Sequence, residues 1–428
     1  MGLLNENGRR ALIARICNSE SLSEAYQTYS MYSEELRDCK FVFAANQGAE
    51  PGYAINRQFS AGAAVRSLFH KDKVLVLDAK TFRDMNGGKA TYQIDYSISL
   101  DTQALSYLEP YISGNLSNRL PKDMKEVFDF IAQDDVRVDP VPYILENLRN
   151  IGDKTAAAKV FEKLKAYETL RTLDQAWLKN NGQARSLLTE IELIKRAQEH
   201  MAGMYRDCEN SAIMKTLRFR HQYMYCSLLK MACIQLSCPA TQIDNKMMAY
   251  FDFCDATLAT MSLREAAIAR KFFEKGSALK FFGKIQKNNE EIFQALDGMA
   301  WDLWHVRQLE ESMTFRLDKG ARYFFPALLT FDKRLIEVMD LFPLKSCAFV
   351  DGDSEVIPVY DGDWYELVAQ EDAGQAIFTG KFYSKQAVQS RDLRRVAAKE
   401  KINDTVDALE RELSEVSTVP VPPQKFWT

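Results

Sequence analysis

From about residue 155 to 292 the apolar residues recur at helical spacing with few Gly or Pro to interrupt them. The run passes through AAAKVFEKLKAYETLRTLDQAWL, ARSLLTEIELIKRAQEHMAGMY, MKTLRFRHQYMYCSLLKMACIQL and SLREAAIARKFFEKGSALKFFGKIQK. Such a block supplies no strands, so any sheet must be assembled from the segments on either side of it. Upstream, Phe41 to Ala45, Val74 to Leu77 and Tyr92 to Leu100 read as strands, and MNGGK at 85–89 is turn chemistry that would pair the last two. Downstream come a helix around 288–311, a strand at 326–331, a helix at 333–341 and strands near 346–350 and 356–360. The expected fold class is α/β, a parallel sheet flanked by helices and interrupted by a long all-helical insertion. The expected divisions are an N-terminal α/β extension (1–90), the first half of the sheet domain (91–154), the insertion (155–290), the second half (291–360) and a C-terminal extension (361–428). That extension holds a charged helix over 387–415 and an extended tail, STVPVPPQKFWT, suited to docking on its own protein or on a partner.

At 428 residues the chain exceeds one ordinary domain of roughly 100–200 residues, and its 46% apolar content can bury a large core. Lys and Arg number 55 against 59 Asp and Glu, a net charge of −4, so attraction to nucleic acid or membrane would have to be local. Eight cysteines without a CxxC pair fit a reduced setting rather than a zinc site. The opening MGLLNENGRR has no apolar signal core, and no run of about 18 apolar residues occurs, so a cytoplasmic protein without membrane contact is expected. Only His70, His200, His221 and His305 are present, which leaves carboxylates as the natural carriers of any chemistry. GxGxxG, HExxH and GxSxG are absent, and NGGKA at 86–90 lacks the first Gly and the Ser or Thr of a phosphate-binding loop.

Two segments place acids where a sheet would present them. In YSISLDTQALSYLEPYI a strand-like run ends at Asp101, and a helix opens with Leu105 and Leu108 on its inner face. In MAWDLWHVRQLEESM and FFPALLTFDKRLIEVMDLF, Asp302 lies on a helix and Asp332 follows a buried strand. Each has a plain structural alternative: an N-cap for Asp101, a solvated helix face for Asp302 and a turn for Asp332. The set resembles the PIN-domain nucleases in the Asp-Thr-x-x-Leu-Ser-x-Leu opening at 101–108, the helix with Asp302 and the Leu-Leu-Thr-x-Asp ending at 328–332. The resemblance implies a further Glu after the second strand, and Glu146 in VDPVPYILENL occupies that place, while Glu265 in the insertion competes with Asp302 for the helical acid. Lys333 and Arg334 stand where the family often has another acid, and Asp297, Asp340 and Asp351 are spare acids for the rim.

By that resemblance Asp101, Glu146, Asp302 and Asp332 would be catalytic and would ligate Mg²⁺ or Mn²⁺, since hard divalent cations take oxygen ligands and clustered carboxylates need a cation. The activity implied is phosphodiester hydrolysis, of RNA before DNA, in a toxin or defence effector restrained by a regulatory protein partner. Arg218, Arg220, Lys280 and Lys284, interleaved with aromatics, are the expected nucleic-acid contacts. The bland reading makes Phe272, Phe273, Phe281 and Phe282 core and the lysines a solvated face. The alternative function is a non-catalytic, mostly helical interaction protein whose degenerate α/β domain binds a partner or nucleic acid. The sequence leaves open whether the chain acts alone or as a homo-oligomer.

Overall fold

Every strand of the computed structural model comes from the two α/β stretches that flank the helical block. The structure describes residues 6–49, 56–69, 71–88, 90, 92–114, 120–314, 320–352, 355–369, 372–423 and 427. They fall into two compact units, Met1–Arg206 with Val306–Asp361, and Asp207–His305 with Gly362–Thr428. The first 50 or so residues of the helical block group with the sheets, and the rest groups with the C-terminal helices.

In the first unit, α1 (Glu6–Asn18) and α2 (Leu22–Met31) precede β1 (Cys39–Ala45), β2 (Asn56–Gln58), β3 (Ala64–Ser67) and β4 (Lys73–Leu77). Then follow α3 (Ala79–Asn86), β5 (Ile94–Leu100), α4 (Thr102–Ile112), α5 (Met124–Ile131), β6 (Val138–Asp139), α6 (Val141–Asn147), α7 (Lys154–Arg171), α8 (Gln175–Asn181) and α9 (Glu190–Glu209), whose last residues pass into the second unit. That unit contains α10 (Ser211–Ser237), α11 (Ile243–Phe253), α12 (Leu263–Lys275) and most of α13 (Ile292–Ser312), which runs on into the first. The chain there adds β7 (Tyr323–Thr330), α14 (Lys333–Met339), β8 (Leu344–Val350) and β9 (Val356–Tyr360). It ends in the second unit with α15 (Trp364–Val368), α16 (Asp372–Tyr383), α17 (Lys385–Glu400) and α18 (Ile402–Ser417).

The strands form two sheets rather than one parallel sheet. The first, ordered β4-β1-β8-β9, is antiparallel throughout, and the second, β2-β3-β7-β5-β6, is parallel only across β7, β5 and β6. β4 and β5 therefore do not pair. Asp78 accepts from the Thr81 backbone N–H at 2.7 Å and starts α3, and the Gly87 that resembled a hairpin residue ends that helix. The hydrophobic face of the antiparallel sheet, including Phe41, Phe43 and Ala348, is covered by Leu12, Ile16, Ala25 and Tyr29 of α1 and α2. β7, YFFPALLT, is buried at every position, as a strand with neighbours on both edges should be.

In the second unit the long helix expected from SLREAAIARKFFEKGSALKFFGKIQK stops at Gly276, whose φ of +56° is costly for a side chain, and continues as short 3₁₀ turns at 276–278 and 280–282. Phe272 and Phe282 stack with ring centroids 3.9 Å apart, and all four phenylalanines of this stretch are buried. The charged helix over 387–415 is two helices, α17 and α18, broken at Lys401. No described helix is long and apolar enough to cross a membrane, and all eight cysteines are free.

Candidate strand-end carboxylate site

β5 and β7 run parallel in register, Leu100 opposite Leu329, so their C-terminal ends lie side by side. Each strand hands over to a helix through an Asp. Asp101 follows β5 and caps α4, accepting from the Ala104 N–H at 2.6 Å, and its own N–H donates to the Leu329 carbonyl at 3.3 Å. Asp332 follows β7 and caps α14, accepting from the Arg334 backbone N–H at 2.8 Å. Period-two alternation brings Ser97, Ser99 and, beyond the strand, Asp101 to the same face of β5. Glu146, on α6, accepts a hydrogen bond from the Thr102 hydroxyl, which ties it to the residue next to Asp101. Three of the four expected acids therefore gather at one end of the parallel strands. Asp302 belongs to the second unit, and Glu265 is buried there in α12.

β6, the third parallel strand, ends in an acid that the sequence reading passed over. Asp139 accepts from the hydroxyls of Ser97 and Ser99, the latter at 3.1 Å, and from the Val141 N–H at 3.0 Å. Burial pushes its carboxyl above the usual range despite these three donors. Its signal was VRVDP, a β-branched run closed by Asp-Pro, but the resemblance implied a Glu at this place, which pointed to Glu146 instead. Lys163 of α7 was also missed. Its ammonium donates to Ser106 Oγ at 2.7 Å, and burial lowers its pKa, an effect opposed by the charges of Glu109 and Glu146.

The donor chemistry suits a hard cation, but the donors do not converge on one. Asp101 is directed to its helix N-terminus and Glu146 to Thr102. Asp332 also pairs with the Arg334 guanidinium, whose Nε lies 2.9 Å from Oδ1 and 3.1 Å from Oδ2. Burial alone would raise the Asp332 pKa, and Arg334 reverses the shift and holds it low. Among the described residues no group of three or more His, Cys, Asp or Glu is arranged to hold a metal ion. As these side chains stand they do not fit Mg²⁺ or Mn²⁺.

The expected rim acids are engaged elsewhere: Asp340 with Arg66 at 3.1 Å, Asp351 with Lys40 at 3.2 Å and Asp297 with His221 at 3.2 Å. Of the expected nucleic-acid contacts, Arg218 donates to Asn403 at 3.0 Å, Arg220 covers the Trp304 ring at 4.9 Å and Lys284 pairs with Glu291 at 3.2 Å. Lys280 is exposed on the 3₁₀ turn. All four belong to the second unit, and the strand-end acids belong to the first. His70 lies outside the described residues. The chain matches no protein-family model, no curated protein and no solved structure.

Proposed function

We propose that the first unit is a PIN-like nuclease domain that hydrolyses phosphodiester bonds, with RNA as substrate, in the cytoplasm. The observation that supports this most is the placement of Asp101 and Asp332 at the ends of adjacent parallel strands with Glu146 of α6 tied to Thr102 beside them, close to the arrangement that the family resemblance implies. Asp139 joins the set as a fourth acid, at the end of β6, and Lys163 adds a half-buried cation for a substrate phosphate close to Glu146. Because the acids are turned into caps and hydrogen bonds, they take places around the substrate and carry no metal-borne step.

The same hydrogen bonds favour a second reading, the non-catalytic interaction protein, since a carboxylate that caps a helix already has a sufficient structural task. Cleavage of labelled single-stranded RNA and DNA with Mg²⁺, Mn²⁺ or EDTA separates the two. Cutting that disappears in Asp101→Asn/Asp332→Asn establishes the nuclease, and the EDTA arm shows whether it needs a divalent cation. No cutting under any of the three conditions rejects it in favour of the interaction protein.

A further inference from the structure

The opposite end of β7 carries a different chemistry. A cavity of about 540 Å³ opens where β1 begins, β4 passes into α3, β8 ends and the chain enters β7. β7 has eight residues, so at roughly 3.3 Å per residue this cavity lies about 26 Å from the Asp332 end. It is a separate place in the same unit, and what happens in it is independent of the strand-end acids.

Five cationic side chains line it, Arg37, Lys40, Lys80, Arg83 and Arg322, against three carboxylates, Asp38, Asp78 and Asp351. Each carboxylate already has a cation. Arg9, from outside the lining, pairs with Asp38; Lys40, itself buried, lies 3.2 Å from Asp351; and Arg322 lies 3.1 Å from Asp78. Asp78 is further bound by the Thr81 N–H at 2.7 Å and the Tyr323 hydroxyl at 2.6 Å. Burial would raise the Asp78 pKa, but these donors and Arg322 lower it, so its charge is satisfied internally. Arg37, Lys80 and Arg83 remain, exposed and with no side-chain ion pair or hydrogen bond among the described residues. The Arg322 Nε is also buried without a hydrogen-bond partner among those residues. Lys80 and Arg83, three apart on α3, lie on one face of that helix.

Among the described residues these three positive charges around one concavity have no facing carboxylate of their own, and an anion between them would relieve their mutual repulsion. A single carboxylate would balance one of them. An oligophosphate balances all three and offers many acceptor oxygens to two guanidiniums and an ammonium. The volume falls in the roughly 300–1,000 Å³ range of small-molecule sites and exceeds what one phosphate fills. We propose that this cavity binds a small oligophosphate, the di- or triphosphate portion of a metabolite, with Arg37, Lys80 and Arg83 as its primary contacts and Lys40 and Arg322 as the fixed floor.

The test is isothermal titration of the full chain at low salt with inorganic triphosphate, ATP and adenosine, alongside Lys80→Ala/Arg83→Ala and Arg37→Ala. Both variants change exposed side chains, and circular dichroism checks that they fold. Triphosphate binding weakened by roughly tenfold or more in either variant, and lessened by added salt, supports a site for the phosphate chain. ATP binding that is tighter than triphosphate and weakened by the same substitutions makes the ligand a nucleotide. No binding of either phosphate compound by the native chain, or binding that both variants leave unchanged, overturns the proposal. Adenosine binding without triphosphate binding overturns it as well.

Discussion

The C-terminal Trp427 should hold the second unit together, and Trp427→Ala measures by how much. The indole is 8% exposed, its ring centroid lies 5.6 Å from that of His221 and 5.9 Å from that of Trp301, and its N–H donates to His221 Nδ1 at 2.9 Å. His221 Nε2 lies 3.2 Å from Asp297 Oδ1, so the bond from Trp427 assigns the imidazole proton to Nε2 and makes Nδ1 the acceptor. A buried Trp removes roughly 150–250 Å² from water, which at about 25 cal/mol per Å² is about 4–6 kcal/mol as an upper bound. Trp→Ala changes in cores cost about 3–5 kcal/mol. The side chains around the indole can relax into part of the space it leaves, so the lower value, about 3 kcal/mol, is expected here. Hydrogen exchange of the α10 amides around His221 should then quicken by roughly 150-fold. Trp427→Phe keeps a ring in place and loses mainly the N–H bond, worth about 1 kcal/mol. Exchange quickened less than about fivefold in Trp427→Ala, or equally in both variants, would refute the view that the buried ring carries the stabilisation.

Glu410 is buried in the second unit: burial and Asp297 raise its pKa, while the Tyr225 hydroxyl at 3.1 Å lowers it, and the net shift is upward. A raised folded-state pKa means that this group stabilises the fold fully below its unfolded pKa, near 4.5, and loses that contribution as pH rises through the folded value. Glu410→Gln should therefore raise Tm at pH 7 and leave it unchanged near pH 4, read by calorimetry; a lower Tm at pH 7 would contradict this. In the first unit Asp101→Ala should cost about 1 kcal/mol by removing the α4 cap, while Asp101→Asn, which can still accept the Ala104 N–H, should cost little in urea denaturation. Equal losses in the two variants would mean that the negative charge, and not the cap, matters for folding.

What could be read from the chain was whatever a few neighbouring residues decide. The step from strand to helix at Asp101 and again at Asp332 is legible because a cap, its strand and the first helical turn all lie within about ten residues. The burial of Phe272, Phe273, Phe281 and Phe282 is legible because their spacing is helical, although Gly276 ends the helix between them. Pairing is a different matter. β1 joins β8 across some 300 residues, and nothing in KFVFA or KSCAFV names the partner. MNGGK looked like a hairpin because Asn-Gly-Gly is common to hairpins and helix ends, and only the Asp78 cap, eight residues earlier, marks it as the end of α3. The same limit acts on the site. Asp302 carries a local helical pattern as good as any other, but which unit a turn of α13 belongs to depends on packing along its whole length, and the helix changes units at His305. Arg334 was noted as the wrong charge after Thr-Phe-Asp, and its guanidinium closes on the Asp332 carboxylate. A carboxylate held this way is kept ionised by a cation two residues away, so a ligand at that strand end must first compete with Arg334 for Asp332.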